Sequence, residues 1–200
     1  MSTWLRTRTA WWVLLVIGLL PLVSLVWRTL TDQLGANPAE TLIRATGDWT
    51  LRGLCLTLAI TPLRVLLGWP ELLRFRRLLG LLTFGYASLH LLGYAGFDMG
   101  FVWADIAHDI PKRPFVLVGA LAFALLLPLA ATSWNGAIRR MGAKRWQALH
   151  RSVYAVAVLA ILHFWWMRSG KRNFTEVWVY GLILAGLLGW RMPRGLKKLL

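Results

Sequence analysis

Apolar segments close to membrane-spanning length recur along the whole chain, and they constrain its fold more than any other feature. Crossing the hydrocarbon core of a bilayer takes a helix of about 20 mainly apolar residues. Inside lipid a backbone must satisfy its own hydrogen bonds, so such segments form helices. With 58% hydrophobic and only 16% charged residues, the composition is typical of a polytopic membrane protein rather than of a soluble domain. The sequence therefore predicts an all-α integral membrane protein.

Six such segments predict a bundle of six transmembrane helices within a single domain over residues 1–200. The predicted helices cover about residues 10–28, 49–67, 78–97, 115–132, 149–167 and 175–190. The first is longer than the hydrophobic core of a signal peptide, which has about 7 to 15 residues, so we expect it to be retained. Residues 28–48 and 71–77 are expected to be polar connections, and residues 98–114 a longer connection with a short interfacial turn.

An excess of basic residues predicts the orientation of this bundle. The 23 Lys and Arg against 8 Asp and Glu would suggest nucleic acid in a soluble protein, but in a membrane protein they report topology. Alternate sides of six helices collect fifteen and seven of these basic residues, with Arg52 inside a helix. Because cytoplasmic loops carry the Lys and Arg excess, both the N- and C-termini are predicted to be cytoplasmic. We expect membrane lipid around the protein and no nucleic-acid partner.

Three of the four histidines fall in or beside the predicted helices. Ionisable side chains in a membrane are costly and usually functional, and paired imidazoles are one way to hold heme iron. His90 and His163 are predicted in the outer halves of the third and fifth helices, so one heme held by both is geometrically reasonable. His150 precedes His163 by thirteen residues, about 20 Å along a helix, and is left for a second site nearer the cytoplasm. The alternative is that these histidines only form hydrogen bonds within the bundle.

The fourth histidine and three arginines are further candidates with simpler alternatives. His108 lies between two aspartates in a predicted outer connection and is expected to be solvated. Arg52, one turn into the second helix, either reaches back to the membrane interface or pairs with a heme propionate, since a guanidinium group matches a carboxylate. Arg76 and Arg77 act as orientation signals and could also hold a flavin phosphate or a heme propionate.

Several short motifs occur in an order that resembles a known bacterial family. The residues that carry the resemblance are segments 61–64 (TPLR), 76–81 (RRLLGL), 89–90 (LH), 144–146 (KRW), 149–150 (LH) and 163–164 (HF), with Tyr86, Tyr94 and Tyr154. They resemble the MsrQ (YedZ) family, the heme-binding membrane subunits of bacterial periplasmic methionine sulfoxide reductase systems. That family has a ferric reductase-like transmembrane domain, and the resemblance covers roughly residues 35 to 190.

The resemblance implies a function in membrane electron transfer. It implies one or two b-type hemes held by His90, His150 and His163, with FMN as a further cofactor. Electrons would come from quinol or a flavin reductase and pass to a periplasmic molybdopterin-containing methionine sulfoxide reductase, which repairs oxidised periplasmic proteins. On this interpretation the chain lies in the bacterial inner membrane as the electron-transfer subunit, has no catalytic residues of its own, and leaves the redox change to heme.

A small polytopic transporter is the alternative from another class. His90, His163 and Arg52 would then line a proton or ion path. The paired Gly and Pro interruptions and inverted halves that are typical of transporters are not evident in this sequence. The sequence therefore favours a membrane cytochrome, and a purified protein without a Soret band would contradict that interpretation.

Overall fold

The computed structural model describes residues 3–170 and 173–191, and every regular element in these two ranges is a helix. Five helices in the described ranges are long and apolar enough to cross a membrane. The chain divides into two compact units, Met1–His108 and Asp109–Leu200. Some of the basic residues behind the predicted orientation lie outside the described residues, namely Lys171, Arg172, Arg194, Lys197 and Lys198. The all-α fold is thus confirmed, while the six-helix count and the cytoplasmic termini stay predictions.

Helix α1, Arg8–Leu30, begins the first unit and lies close to the predicted first helix. Thr7 starts it as an N-cap, because its hydroxyl accepts a hydrogen bond from the Ala10 amide at 3.2 Å. Pro21 lies inside the helix, where its ring removes a backbone donor. Most side chains of α1 are exposed in the protein alone, as expected for a helix that faces lipid.

Helix α2, Pro38–Leu67, begins well before the predicted start at residue 49. Asn37 caps it by accepting a hydrogen bond from the Glu40 amide at 3.1 Å, and Pro38 occupies the first turn, where no amide is needed. Glu40 and Arg44 then form an ion pair one turn apart, at 2.6 Å. These polar signals extend the helix through residues that hydropathy alone assigns to a connection.

Residues 71–77, predicted to be a loop, are largely helical. A 3-10 turn, Pro70–Arg74, leads directly into helix α3, Phe75–Gly93, so Arg76 and Arg77 lie in the first turn of α3. The turn is tied to the N-terminal segment, because Arg6 donates from Nε and Nη2 to one oxygen of Glu71, at 2.9 and 2.7 Å. A π-helical turn, Tyr94–Asp98, follows α3.

Helices α2 and α3 pack together as the core of the first unit. Leu58 is fully buried, and Gly53 allows the close approach, since a Cβ there would lie 2.6 Å from the Thr83 hydroxyl. The buried hydroxyls of Thr57 and Thr83 donate to carbonyls one turn earlier in their own helices, both at 2.8 Å. This packing sets the register in which α3 meets α2.

The second unit has its longest helices in α5, Pro114–Ala131, and α8, Val153–Ser169, which pack together. Two short helices precede α8, namely α6, Asn135–Met141, and α7, Ala143–His150. A further short helix, α4, Trp103–Asp109, comes before α5 and lies within the predicted connection 98–114. The predicted helix 149–167 is therefore α8 preceded by the end of α7, with a tight turn at residues 151–152.

The last helix of the second unit, α9, spans Thr175–Gly189. Arg168 near the end of α8 forms an ion pair with Glu176 in the first turn of α9. With 15 residues, α9 is about 22 Å long, shorter than the hydrocarbon core of about 30 Å. Whether the bundle has six spans therefore depends on α9.

Candidate functional site

His90 lies near the end of α3 and makes a hydrogen bond to the backbone of α2. Its Nδ1 is 2.8 Å from the carbonyl oxygen of Ile43. A carbonyl oxygen only accepts, so Nδ1 carries the proton and the lone pair of the ring is on Nε2. One turn further along α2 is Gly47, where a Cβ would lie 3.0 Å from Nδ1 and from Cε1 of the same ring.

His163 has the same surroundings in the second unit. Its Nδ1 is 2.6 Å from the carbonyl oxygen of Phe115 in α5, which again places the proton on Nδ1. Gly119 lies one turn beyond Phe115, and a Cβ there would lie 2.8 Å from Nδ1 and 3.0 Å from Cε1. Each unit thus holds an intramembrane histidine against a glycine, bonded to the carbonyl one turn before that glycine.

The chemistry of these two imidazoles fits axial ligation of heme iron. A histidine that binds a metal through one ring nitrogen usually donates the other N–H to a carboxylate or a backbone carbonyl, which fixes the tautomer and the ring orientation. His90 and His163 both donate from Nδ1 in this manner, so the lone pair that a metal would need is on Nε2 in each. Both side chains are half-buried.

His150, the last residue of α7, has a different tautomer. The Thr132 hydroxyl donates to the carbonyl of Pro128 at 2.6 Å, so it accepts the hydrogen bond from His150 Nε2 at 3.0 Å. Trp146 stacks on the imidazole with ring centroids 3.9 Å apart, and its indole N–H donates to the Thr132 carbonyl at 2.9 Å. The lone pair of His150 is therefore on Nδ1, the opposite nitrogen from that of His90 and His163.

The candidate arginines of the first unit lie at two levels. Arg52 is half-buried in α2 and places its guanidinium over the Trp49 ring, 4.7 Å from the centroid. It follows Gly47 by five residues, about 7.5 Å along the helix, so it lies near the level of His90. Arg76 and Arg77 begin α3, about 20 Å along that helix from His90. The structure does not bring them together with His90.

The second unit separates its two histidines in the same manner. His150 ends α7 and His163 lies in the second half of α8, thirteen residues later, which in an unbroken helix would be a rise of about 20 Å. His108 is exposed in α4, in agreement with a solvated residue.

Sequence reasoning missed the groups that hold the histidines. The carbonyls of Ile43 and Phe115 carry no sequence signal, because every residue has a carbonyl. Gly47 and Gly119 did carry one, since a glycine inside a helix usually has a packing reason.

Comparisons with known proteins identify the relatives of this chain. The family model described as ferric reductase like transmembrane component matches residues 46–161. A relative from Polaromonas naphthalenivorans (strain CJ2), named protein-methionine-sulfoxide reductase heme-binding subunit MsrQ, is 58% identical over 96% of this chain and 91% of that protein. A protein of the same name from Herminiimonas arsenicoxydans is 54% identical over 88% of this chain and 81% of its own length. No solved structure matches the chain.

The family match spans more than half of the chain and includes His90 and His150, and the relatives extend the similarity past His163. Together with the five apolar helices, it identifies a multi-pass membrane protein, consistent with the bacterial inner membrane. The chain therefore belongs to the ferric reductase like transmembrane component family and, within it, to the MsrQ heme-binding subunits.

Proposed function

We propose that this protein is a b-type heme subunit that carries electrons across the bacterial inner membrane to a methionine sulfoxide reductase. Relatives that are 51 to 58% identical carry the name of heme-binding subunits of protein-methionine-sulfoxide reductase. The observation that carries the proposal is the pair of Nδ1 hydrogen bonds of His90 and His163, which orient Nε2 as a metal ligand. When bound, heme supplies the one-electron redox change.

His90 and His163 are the proposed ligands of the outer heme. Each imidazole would bind iron through Nε2 while Nδ1 keeps its proton and donates it in a hydrogen bond to a backbone carbonyl, so the helices would fix both the ring plane and the basicity of the ligand. That both serve one heme rests on their similar depths in the sequence-based topology. Arg52, about 7.5 Å along α2 from the glycine that His90 faces, would pair with a propionate of this heme through its planar donors.

His150 is the proposed ligand of a second heme nearer the cytoplasm. Through Nδ1 it can bind iron and keep its hydrogen bond to Thr132, whereas binding through Nε2 requires that this bond be given up. Binding through Nδ1 and binding through Nε2 require different tautomers of the imidazole. The hydrogen bond to the Thr132 hydroxyl therefore favours Nδ1 as the nitrogen that would bind without rearrangement.

Electrons are proposed to enter at the end of the first unit where α2 ends and α3 begins. Arg64 lies in the last turn of α2, and Arg76 and Arg77 lie in the first turn of α3. Guanidinium groups bind a flavin phosphate in two-point geometry, so this end suits FMN or a reduced flavin, and quinol is the other proposed donor. The proposed acceptor is a periplasmic molybdopterin-containing methionine sulfoxide reductase, which would be the catalytic subunit.

Replacing single histidines tests the ligand assignment. We expect purified protein to show a Soret band, and we expect His90→Ala and His163→Ala each to strip the outer heme or turn it high-spin, because one axial imidazole is lost. A pyridine hemochrome assay gives heme per protein, and electron paramagnetic resonance gives the spin state. His108→Ala is the matched control, since His108 is exposed and should leave both readings unchanged.

The assignment fails if His108→Ala bleaches the protein while His163→Ala keeps low-spin heme. A colourless wild-type protein, produced with heme available in the cell, would contradict the whole proposal and favour a transporter that uses the same histidines.

A further inference from the structure

The two units repeat one local arrangement around their intramembrane histidines. In each, an imidazole on one helix lies against a glycine of the neighbouring helix, and its Nδ1 donates to the carbonyl one turn before that glycine. The glycines are Gly47 in α2 and Gly119 in α5. Because the same three groups recur around both histidines, the repetition points to a shared requirement of the two imidazoles.

A Cβ would crowd the imidazole at both glycines, and more severely at Gly119 than at Gly47. A Cβ at Gly119 would lie 2.8 Å from His163 Nδ1, closer than carbon and nitrogen atoms approach in protein cores. A Cβ at Gly47 would lie 3.0 Å from two atoms of the His90 ring. These contacts involve Nδ1 and Cε1, the atoms that form and flank the hydrogen bond, so any shift of the ring away from the Cβ changes the geometry of that bond.

We propose that Gly47 and Gly119 are positioning residues for the axial ligands His90 and His163. Their missing side chains let each imidazole reach the carbonyl of Ile43 or Phe115, and that hydrogen bond sets the direction of Nε2 and the electron donation of the ring. This inference rests on the proposed function, because it assigns a role to the glycines only if the two histidines bind heme.

Ordinary helix packing is the competing explanation, since small residues let membrane helices approach closely. Gly53 in the same helix α2 is such a case, because a Cβ there would meet the Thr83 hydroxyl at 2.6 Å and no histidine. At Gly85 in α3 and Gly181 in α9, a Cβ would have no packing neighbour within 4 Å among the described residues. The chain thus offers a crowded control and two open controls.

The experiment compares heme properties of Gly47→Ala, Gly119→Ala, Gly53→Ala, Gly85→Ala and Gly181→Ala in the purified full-length protein. Heme per protein, the low-spin fraction and the midpoint potential of the outer heme are measured, with detergent-stable protein as the reference for folding.

We expect the two histidine-facing variants, Gly47→Ala and Gly119→Ala, to lose heme about 10- to 100-fold more readily in competition with apomyoglobin, as changes to groups that hold a metal ligand do at other sites. Their low-spin fraction should fall and their midpoint potential should rise, because a less electron-donating imidazole stabilises ferric iron less. Gly119→Ala should show the larger change.

The outcomes separate this inference from the proposed function. If His90→Ala and His163→Ala strip heme while Gly47→Ala and Gly119→Ala match Gly181→Ala, the glycines have no positioning role. If Gly53→Ala changes the potential as much as Gly47→Ala, the effect belongs to helix packing and the inference is overturned. If the histidine variants retain low-spin heme, the ligand assignment itself fails.

A measurement on the wild-type protein tests the two carbonyl hydrogen bonds on which the inference depends, even where a glycine variant does not accumulate. Electron–nuclear double resonance of oxidised heme detects the exchangeable Nδ1 protons of axial imidazoles. Because each Nδ1 proton is hydrogen-bonded to the carbonyl of Ile43 or Phe115, it should exchange slowly after transfer to deuterated buffer. Immediate exchange of both would show that the carbonyl bonds do not hold the bound ligands, and would overturn the inference.

Discussion

The hydroxyl group of Tyr86 links α3 to α1, and its removal is the sharpest test of how α1 is held. The Tyr86 hydroxyl donates to the Gly18 carbonyl at 2.8 Å and accepts from the Leu22 amide at 3.2 Å. Gly18 and Leu22 are four residues apart, the spacing of a helical hydrogen bond, and Pro21 between them removes a neighbouring donor. The tyrosine is buried, with 5% of its surface exposed.

The expected cost of Tyr86→Phe follows from these two hydrogen bonds. A hydrogen bond contributes a net stabilisation of about 0.5 to 1.5 kcal/mol in proteins, and bonds between membrane helices average about 0.6 kcal/mol. The ring itself is kept, including its contact with Trp49, so only the hydroxyl is tested. We expect the free energy of unfolding to fall by about 1 to 2 kcal/mol, towards the lower end if the Leu22 amide bonds the Gly18 carbonyl directly.

Unfolding in mixed detergent and sodium dodecyl sulfate measures this difference. Tyr154→Phe is the matched control, because Tyr154 makes a ring contact with Arg191, which phenylalanine keeps, and the described residues show no hydrogen bond of its hydroxyl. Heme content should not change, since His90 meets α2 rather than α1. The reasoning is refuted if Tyr86→Phe unfolds at the same free energy as Tyr154→Phe.

Two further predictions concern topology and electron entry. Because of the Lys and Arg bias, reporter fusions after residue 140 and at the C-terminus should report a cytoplasmic location, and a fusion after residue 105 should report a periplasmic one. A periplasmic C-terminus would mean that α9 does not span the membrane. Arg76→Gln combined with Arg77→Gln should keep heme and insertion but slow heme reduction by the donor in stopped-flow measurements, whereas the control pair Arg139→Gln and Arg140→Gln should not. Equal rates in both pairs would leave Arg76 and Arg77 as orientation signals only.

Hydropathy predicted the lipid-facing part of each helix better than its ends. The predicted helix 115–132 agrees closely with α5, because Pro114 opens it and Thr132 caps it at the limits of the apolar run. The start of α2 could not be found in this manner, since residues 38–48 contain Glu40, Arg44 and Asp48. A capping asparagine and a first-turn proline start that helix, and these signals act independently of hydropathy.

Within the candidate site, the sequence predicted only those residues whose polar side chains are energetically costly in lipid. An imidazole in an apolar span is expensive, so His90 and His163 could be identified from position alone. Their hydrogen-bond partners could not be identified in this way, because the carbonyls of Ile43 and Phe115 are backbone groups that every residue has. Glycines inside α2 and α5 were visible, but which residue a glycine faces depends on the register between two helices.

The tautomers of the three histidines give the structure its strongest functional distinction. His90 and His163 bond backbone carbonyls through Nδ1, and no substitution of a side chain removes these acceptors. His150 instead donates from Nε2 to the Thr132 hydroxyl, which can rotate and can accept or donate. A carbonyl can only accept, whereas the Thr132 hydroxyl accepts from His150 only as long as it donates to the Pro128 carbonyl. His90 and His163 are therefore each held by an acceptor that cannot turn, whereas His150 bonds to a rotatable hydroxyl.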